Sequence, residues 1–408
     1  MARKLFTSLK AEKSNNSVTI SFNRGLELYN NPKIEKIIRI YRKDEDDFVF
    51  GSDYGEYFNS LDYRNAEVIF EGKLDVFNNR KYMYEDKDVK LGSVYAYWVS
   101  SNKGDMATGP VAVKVRDPRV WWSHEYISSF INELGEKHHE KVTIKKFGYT
   151  TMKRDILGLI AGNPDNTIAL TGLIHAGESG PELILPVMAK LLDKDDTLLD
   201  KVGIAALPAV NIDQREKLVN GMPYYLRTNP NGVDINRNFN ANWDITDYTY
   251  GLNTSEYGSL TYRGPYPESE NETLAVVNFL YNVNPTVVMS MHSLASICND
   301  NFLASQYGEN DKEYVKKCRN IVQEYTRGFR ESVASNKDHR LSFTATTGDL
   351  STWAYIKLGI PCFDLEFDGE DEGKACLVDQ ATVEMIEHYR EKHYNGIKEV
   401  LKHLAAAI

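Results

Sequence analysis

The sequence predicts an α/β chain in two parts: an all-β sandwich over residues 1–116, then a mixed-sheet α/β/α domain over residues 118–408. Three observations carry this. The first part holds β-rich runs separated by turn residues. The second alternates apolar strand-like runs with amphipathic helical segments. Between them Asp117-Pro118 marks a linker. At about 150 residues per domain, a chain of 408 residues has room for two or three domains with ample cores. Hydrophobic residues at 42% and aromatics at 11% describe a globular chain. Forty-eight Lys and Arg against 58 Asp and Glu give a net charge of -10, which argues against nucleic acid as partner, since phosphate binding needs a cationic field. No stretch approaches the roughly 20 apolar residues of a membrane span. The opening residues have no apolar run after their basic ones, so no signal peptide is expected. A cytoplasmic place is the default expectation, and a secreted one if a leader has been removed.

In the first part the strand candidates are Val18–Phe22, Ile37–Tyr41, Ala66–Phe70, Val94–Val99 and Val111–Val115. The run Leu91-Gly-Ser-Val-Tyr-Ala-Tyr-Trp-Val99, then Ser101-Asn-Lys-Gly104 and Gly109-Pro-Val-Ala-Val113, resembles the end of a fibronectin type III domain. The resemblance makes Tyr95 a tyrosine-corner residue, its ring inside and its hydroxyl on backbone. Phe22 stands where that family usually has a core Trp. Such a module binds or spaces; its partner would be a protein or a glycan, and it carries no chemistry.

In the second part Ser123 caps a helix bearing Tyr126, Ile127, Phe130, Ile131 and Leu134, with Gly135 near its end. Near-continuous apolar strands are expected at Thr167–Ile174, Val202–Leu207, Thr286–Met291 and Ile360–Leu365, implying a sheet covered on both faces. Helices follow them. One starts at Pro181, although Pro186 costs it a backbone hydrogen bond. Another opens on the capping-box spacing Ser269-Glu-Asn-Glu272. A third carries Tyr314, Val315, Cys318, Ile321, Val322 and Tyr325, and a long last one runs through Met385, Ile386 and Tyr389 toward Leu401. The four cysteines, Cys298, Cys318, Cys362 and Cys376, form no C-x-x-C pair and are too few for a disulfide framework in so long a chain. They are expected as thiols.

Three strand ends carry candidate chemistry: His175-Ala-Gly-Glu178, His292 and Glu366. In open α/β sheets ligands gather beyond the carboxyl ends of strands, so these side chains are placed to converge. A His-x-x-Glu spacing alone is weak. With nine histidines a chance match is expected, and His388-Tyr-Arg-Glu391, inside an amphipathic helix, reads as a polar i,i+3 pair. His175 differs because it follows an apolar strand, sits in a Gly-bearing loop and precedes a helix. That context alone leaves a metal site and a loop hydrogen bond both open.

Further motifs occur in a fixed order with these: Arg227, Gly232-Val-Asp-Ile-Asn-Arg-Asn-Phe239, Tyr262-Arg-Gly-Pro-Tyr-Pro-Glu-Ser-Glu270, Ser290-Met-His-Ser293 and Phe363-Asp-Leu-Glu366. Over residues 118–408 the chain thereby resembles the zinc carboxypeptidase family, relatives of carboxypeptidase A. The resemblance implies one Zn²⁺ per chain on His175, Glu178 and His292, with a position left for water; carboxypeptidase A is itself the standard example of that ligand set. It implies Asp234 behind a ligand imidazole, Glu366 as proton acceptor from the attacking water, and Arg227 as polariser of the scissile carbonyl. It implies Asn236 and Arg237 as the grip on a free C-terminal carboxylate of a peptide substrate.

Two departures accompany it. The family's mobile tyrosine falls on Thr344, and its usual Asn-Pro-Asp-Gly turn is Asn211-Ile-Asp-Gln214. The position that often sets side-chain preference falls near Ser351. Beside it, Asp349 either favours an amine-bearing leaving residue or caps backbone. The expected activity is that of a metallocarboxypeptidase. The loop Thr347–Trp353 and the short spacing from Arg227 to Gly232 keep a γ-D-glutamyl-diaminopimelate murein-peptide hydrolase as the alternative. A non-catalytic peptide-binding protein is the alternative of another class, against which the full set of base and oxyanion donor argues.

Overall fold

The computed structural model describes residues 6–25, 37–45, 60–73, 80–101, 107–248, 254–292, 301–332, 340–367 and 381–407. Cys298, Cys376, Ser293 and the acidic run 368–372 lie outside them. Two compact units result: residues 1–118 with 217–225, and residues 119–216 with 226–408.

The first unit is built of antiparallel strands β1 (Phe6–Ser14), β2 (Ser17–Arg24), β3 (Ile37–Asp44), β4 (Glu67–Lys73), β5 (Lys81–Asp86), β6 (Val94–Ser100) and β7 (Ala107–Lys114). They form a three-stranded sheet, β1-β2-β5, and a four-stranded one, β4-β3-β6-β7. The period of two puts Val18, Ile20 and Phe22 of β2, Ile38 and Ile40 of β3, and Tyr95, Tyr97 and Val99 of β6 into one core. Tyr95 is buried, and its hydroxyl accepts the backbone N–H of Lys90 at 2.9 Å. Phe22 meets Phe6 edge-on and stacks on Tyr82. Strands β1 and β5 escape a hydrophobicity reading because few of their residues are buried: β1 alternates with exposed polar residues, and β5 exposes Lys81, Met83 and Glu85. Residues 217–225 are tied in by Arg116, whose Nη1 donates to the carbonyls of Leu218 and Met222 at 2.7 and 2.6 Å, and by the Lys114 N–H on the Gly221 carbonyl.

The second unit is an eight-stranded mixed sheet. Its strands are β8 (Val142–Tyr149), β9 (Asp155–Gly162), β10 (Thr167–Gly172), β11 (Gly203–Leu207), β12 (Val287–Met291), β13 (Asn301–Ser305), β14 (Arg340–Thr344) and β15 (Cys362–Glu366). The order is β14-β13-β15-β12-β10-β11-β9-β8, with β11, β10, β12 and β15 mutually parallel. Every residue of β10, β11 and β12 is buried, so both faces of the sheet's centre are covered. Helix α1 (His124–Lys137) is capped by the Ser123 hydroxyl at Tyr126 N, and it continues through Gly135. Helix α2 (Pro181–Lys194) accommodates Pro186, and α3 (Ile212–Val219) follows β11. Helix α4 (Asn271–Val283) does not use the expected capping box. Its N-cap is Glu270, whose carboxylate is taken by Asn229 and Asn231, while the Ser269 hydroxyl turns to Glu270. Helices α5 (Lys312–Ser332), α6 (Leu350–Leu358) and α7 (Val383–Ala406) complete the unit. Cys318 and Cys362 are buried thiols. Among the described residues no helix is long and apolar enough to cross a membrane.

The topology selects the site. The chain leaves β10 toward β11 on one side and later returns to β12 on the other, so the strand order reverses between β10 and β12. A crevice forms at such a switch point beyond the carboxyl ends.

Candidate metal centre

His175 and Glu178 stand on the loop after β10. This loop folds back against its own strand: a Cβ on Gly180 would lie 2.6 Å from the Leu173 nitrogen, and one on Gly172 would lie 2.8 Å from the Gly180 Cα. Only glycine lets the two backbones approach so closely. His292 follows β12 directly. Its N–H donates to the Leu365 carbonyl at 3.1 Å, and Met291 pairs with Leu365 in the parallel ladder. The next step in register brings His292 level with Glu366, the half-buried last residue of β15.

The ligating atoms of His175, Glu178 and His292 all lie within 4.8 Å of one another, and all three residues are buried. His175 Nδ1 is 2.8 Å from Glu178 Oε1, and His292 Nδ1 is 3.0 Å from Glu178 Oε2. The second approach lacks hydrogen-bond geometry, leaving both of its atoms unsatisfied in a buried place. Behind the rings, His175 Nε2 lies 3.1 Å from Asp234 Oδ1. An ionised carboxylate only accepts, so that nitrogen carries the hydrogen and Nδ1 presents a lone pair. Acceptors facing acceptors at this range require a proton or a cation between them. Two imidazoles and a carboxylate suit Zn²⁺.

The charges say the same. Burial pushes the Glu178 carboxyl up, but the charges of His175 and His292 and their hydrogen bonds outweigh it and hold it well below the usual carboxylate range. Burial raises Asp234 too, and Arg227 and His175 overcome this, leaving it well below that range. The His292 imidazole is lowered by burial, yet Glu178 and Asp364 raise it well above its ordinary value. The pocket stabilises positive charge at its centre.

Asp234 also serves other groups. Its Oδ2 accepts from Arg227 Nε at 2.8 Å, and its Oδ1 from the Asn236 N–H at 3.0 Å. Asn236 is 4% exposed; its Nδ2 donates to Asp364 Oδ2 at 3.0 Å and its Oδ1 accepts the Leu350 N–H at 2.9 Å. A single amide hydrogen is left for any substrate, which weakens its expected part in gripping a carboxylate. Arg237 is buried, with Nη1 on the Asn236 carbonyl at 2.8 Å and Nε 3.3 Å from the Asp247 carboxylate. Gly348, at φ +67°, closes over the Arg237 carbonyl so tightly that a Cβ would sit 2.2 Å from it. Thr344 ends strand β14, and its hydroxyl reaches Thr346. Ser351 is buried against Asp349, and Asp349 caps α6 through the Thr352 N–H at 3.3 Å. The capping alternative for Asp349 is therefore the geometry present. Glu391 pairs with Lys190, not with a metal group.

Four supporting residues escaped the sequence. Arg215, on helix α3 just after the segment Asn211–Gln214 that departs from the family pattern, donates Nη1 to the carbonyls of Ala176 and Glu178 at 3.0 and 3.3 Å and pairs with buried Glu182. Asp247 backs Arg237, and Ser290 and Asp364 flank His292. Arg215, Asp247 and Asp364 act through pairing distant in sequence, and Ser290 through a neighbour two residues on whose strand places both side chains on one face.

The zinc carboxypeptidase profile matches residues 127–396. Over 174 residues the chain is 32% identical to mast cell carboxypeptidase A of Rattus norvegicus, covering 38% of this chain and only 40% of that protein. Over 78 residues it is 37% identical to murein peptide amidase A of Escherichia coli strain K12, covering 18% of this chain and 32% of that protein. Among solved structures it is similar in fold to carboxypeptidase A from Helicoverpa armigera, with a TM-score of 0.61 at 18% identity over 72% of this chain and 76% of that one.

Proposed function

The chain belongs to the zinc carboxypeptidase family, and from that premise we propose that it hydrolyses the C-terminal peptide bond of peptides by promoted attack of water. The observation that carries this is the cluster His175, Glu178 and His292 at a strand switch point, with Glu366 in register beside His292. The three clustered side chains would hold the zinc ion, which when bound supplies Lewis acidity.

The chain's own groups do the rest. Glu366 accepts the proton of the attacking water and returns it to the leaving amine. Arg227, oriented by Asp234, donates to the developing oxyanion. Arg237, fixed by Asp247, takes the free carboxylate with its planar fork. The first unit we read as a fibronectin type III-like module. Its three-plus-four strand pairing and the Tyr95 hydroxyl on backbone support this.

The test is Glu366→Gln. It should keep zinc and fold and lose turnover by several orders of magnitude, because an amide cannot accept the water's proton. Near-normal kcat would show that another residue is the base. The match to murein peptide amidase A favours a second reading, cleavage beside diaminopimelate in murein peptides. Mass-spectrometric profiling of products from a mixed peptide library that includes murein tripeptides separates the two.

A further inference from the structure

Strands β12 and β15 place Ser290 and Asp364 directly opposite each other, so their side chains share the face on which His292 lies two residues further on. His292 Nε2 then has two neighbours: the Ser290 hydroxyl at 3.1 Å and Asp364 Oδ1 at 3.5 Å. Asp364 is 5% exposed. Its Oδ2 takes the Asn236 amide, while Oδ1 is buried with no hydrogen-bond partner, aimed at the ring. A buried carboxylate oxygen left so is costly, and the imidazole N–H is the donor within reach.

The two neighbours are not equivalent. A serine hydroxyl donates or accepts, so it is compatible with either tautomer of the ring. A carboxylate only accepts, and it therefore places the hydrogen on Nε2 and frees the Nδ1 lone pair toward Glu178. We propose that Asp364 is a positioning residue for the metal centre: it sets the tautomer and orientation of His292, as Asp234 does for His175, and Asn236 clasps the two carboxylates together. Asn236 gives its backbone N–H to Asp234 and its side-chain amide to Asp364, each at 3.0 Å.

This rests on the zinc reading, and the experiment separates the two. Zinc affinity is measured by chelator competition on wild-type protein, Asp364→Asn and Ser290→Ala, with folding followed by circular dichroism of the metal-free forms. Asparagine is nearly isosteric but presents either an acceptor or a donor, so it restores the ambiguity. The expected result is a ten- to hundred-fold loss of zinc affinity in Asp364→Asn and a smaller loss in Ser290→Ala. A folded Asp364→Asn with wild-type affinity overturns the proposal, as does a larger loss in Ser290→Ala. Wild-type protein that binds no zinc instead overturns the functional reading. Should Asp364→Asn not fold, nitrogen-15 spectra of histidine side chains in zinc-loaded wild-type protein decide. The His292 proton should sit on Nε2 as a strongly deshielded hydrogen-bonded resonance; a proton on Nδ1 refutes the assignment.

Discussion

The two imidazoles of the centre are held by different kinds of structure. His175 stands on a loop, and its support comes from far along the chain: Asp234 behind the ring, and Arg215 gripping the carbonyls of Ala176 and Glu178. His292 stands at a strand end, and its support comes from strand neighbours, Ser290 two residues back and Asp364 across the ladder. Asp234 is shared, holding Arg227 as well as His175. Asp364 faces His292 and takes the Asn236 amide. A loop-borne ligand needs anchors brought to it; a strand-borne one inherits its anchors from register. Through Asp234 the loop half therefore couples metal binding directly to Arg227, whereas Asp364 meets the ring of His292 and reaches the groups proposed for catalysis only through Asn236.

The harshest test ignores the difference. His175→Ala and His292→Ala each remove one of three protein ligands, and zinc content measured by metal analysis should fall from about one per chain to near zero in both. Full zinc in either variant would break the pairing of the two rings as ligands.

Asp234→Asn probes the difference itself. Zinc affinity should fall about ten- to hundred-fold. At saturating zinc, kcat/KM should remain depressed, since Arg227 loses its charged partner. Asp364→Asn, once zinc is saturating, should recover most of its activity. Equal residual defects in the two variants would erase the functional asymmetry.

Acidification should act through the strand half. The surrounding carboxylates hold His292 above its ordinary value, so without metal the ring keeps its proton to a higher pH than a free histidine would. Zinc must displace that proton. Affinity should therefore fall by about tenfold per pH unit for each proton released, beginning above the usual histidine range. Titration calorimetry in buffers of different ionisation enthalpy counts the protons; a release of none would remove the charge argument.

The asymmetry also explains what a linear reading could and could not see. His175, Glu178, Asp234 and Arg237 lie in compact motifs whose glycines and asparagines sit at fixed offsets, and strands β10, β12 and β15 announce themselves as apolar runs. Asp364 stands inside the motif Phe363-Asp-Leu-Glu366, yet its role depends on Ser290 lying opposite it, which only strand register supplies. Asp247 and Arg215 reach their partners across 10 and at least 33 residues of chain, and nothing local marks them. Strands β8, β9, β13 and β14 are hard to read from the sequence for another reason. They belong to the outer parts of the sheet, and β8 and β14 in particular alternate with polar or exposed residues that blur the hydrophobic signal.

The smallest effect is the coupling between the halves. Asn236 touches both carboxylates, with its backbone N–H on Asp234 and its side-chain amide on Asp364. If each carboxylate oriented its own ring independently, the free-energy losses of Asp234→Asn and Asp364→Asn in zinc binding would add. A shared partner makes neighbours interact, typically by 0.5 kcal/mol or more. Loosening one end should let Asn236 shift and soften the other, so the double variant should lose less than the sum, by about 0.5–1 kcal/mol. In an Asn236→Ala background the clasp has lost its side-chain arm, and the same two substitutions should then add within about 0.3–0.5 kcal/mol, the level seen for independent sites. Chelator competition on the full set of variants measures both cycles. Additivity in both would show that the two imidazoles are held separately and that Asn236 only fills the space between them.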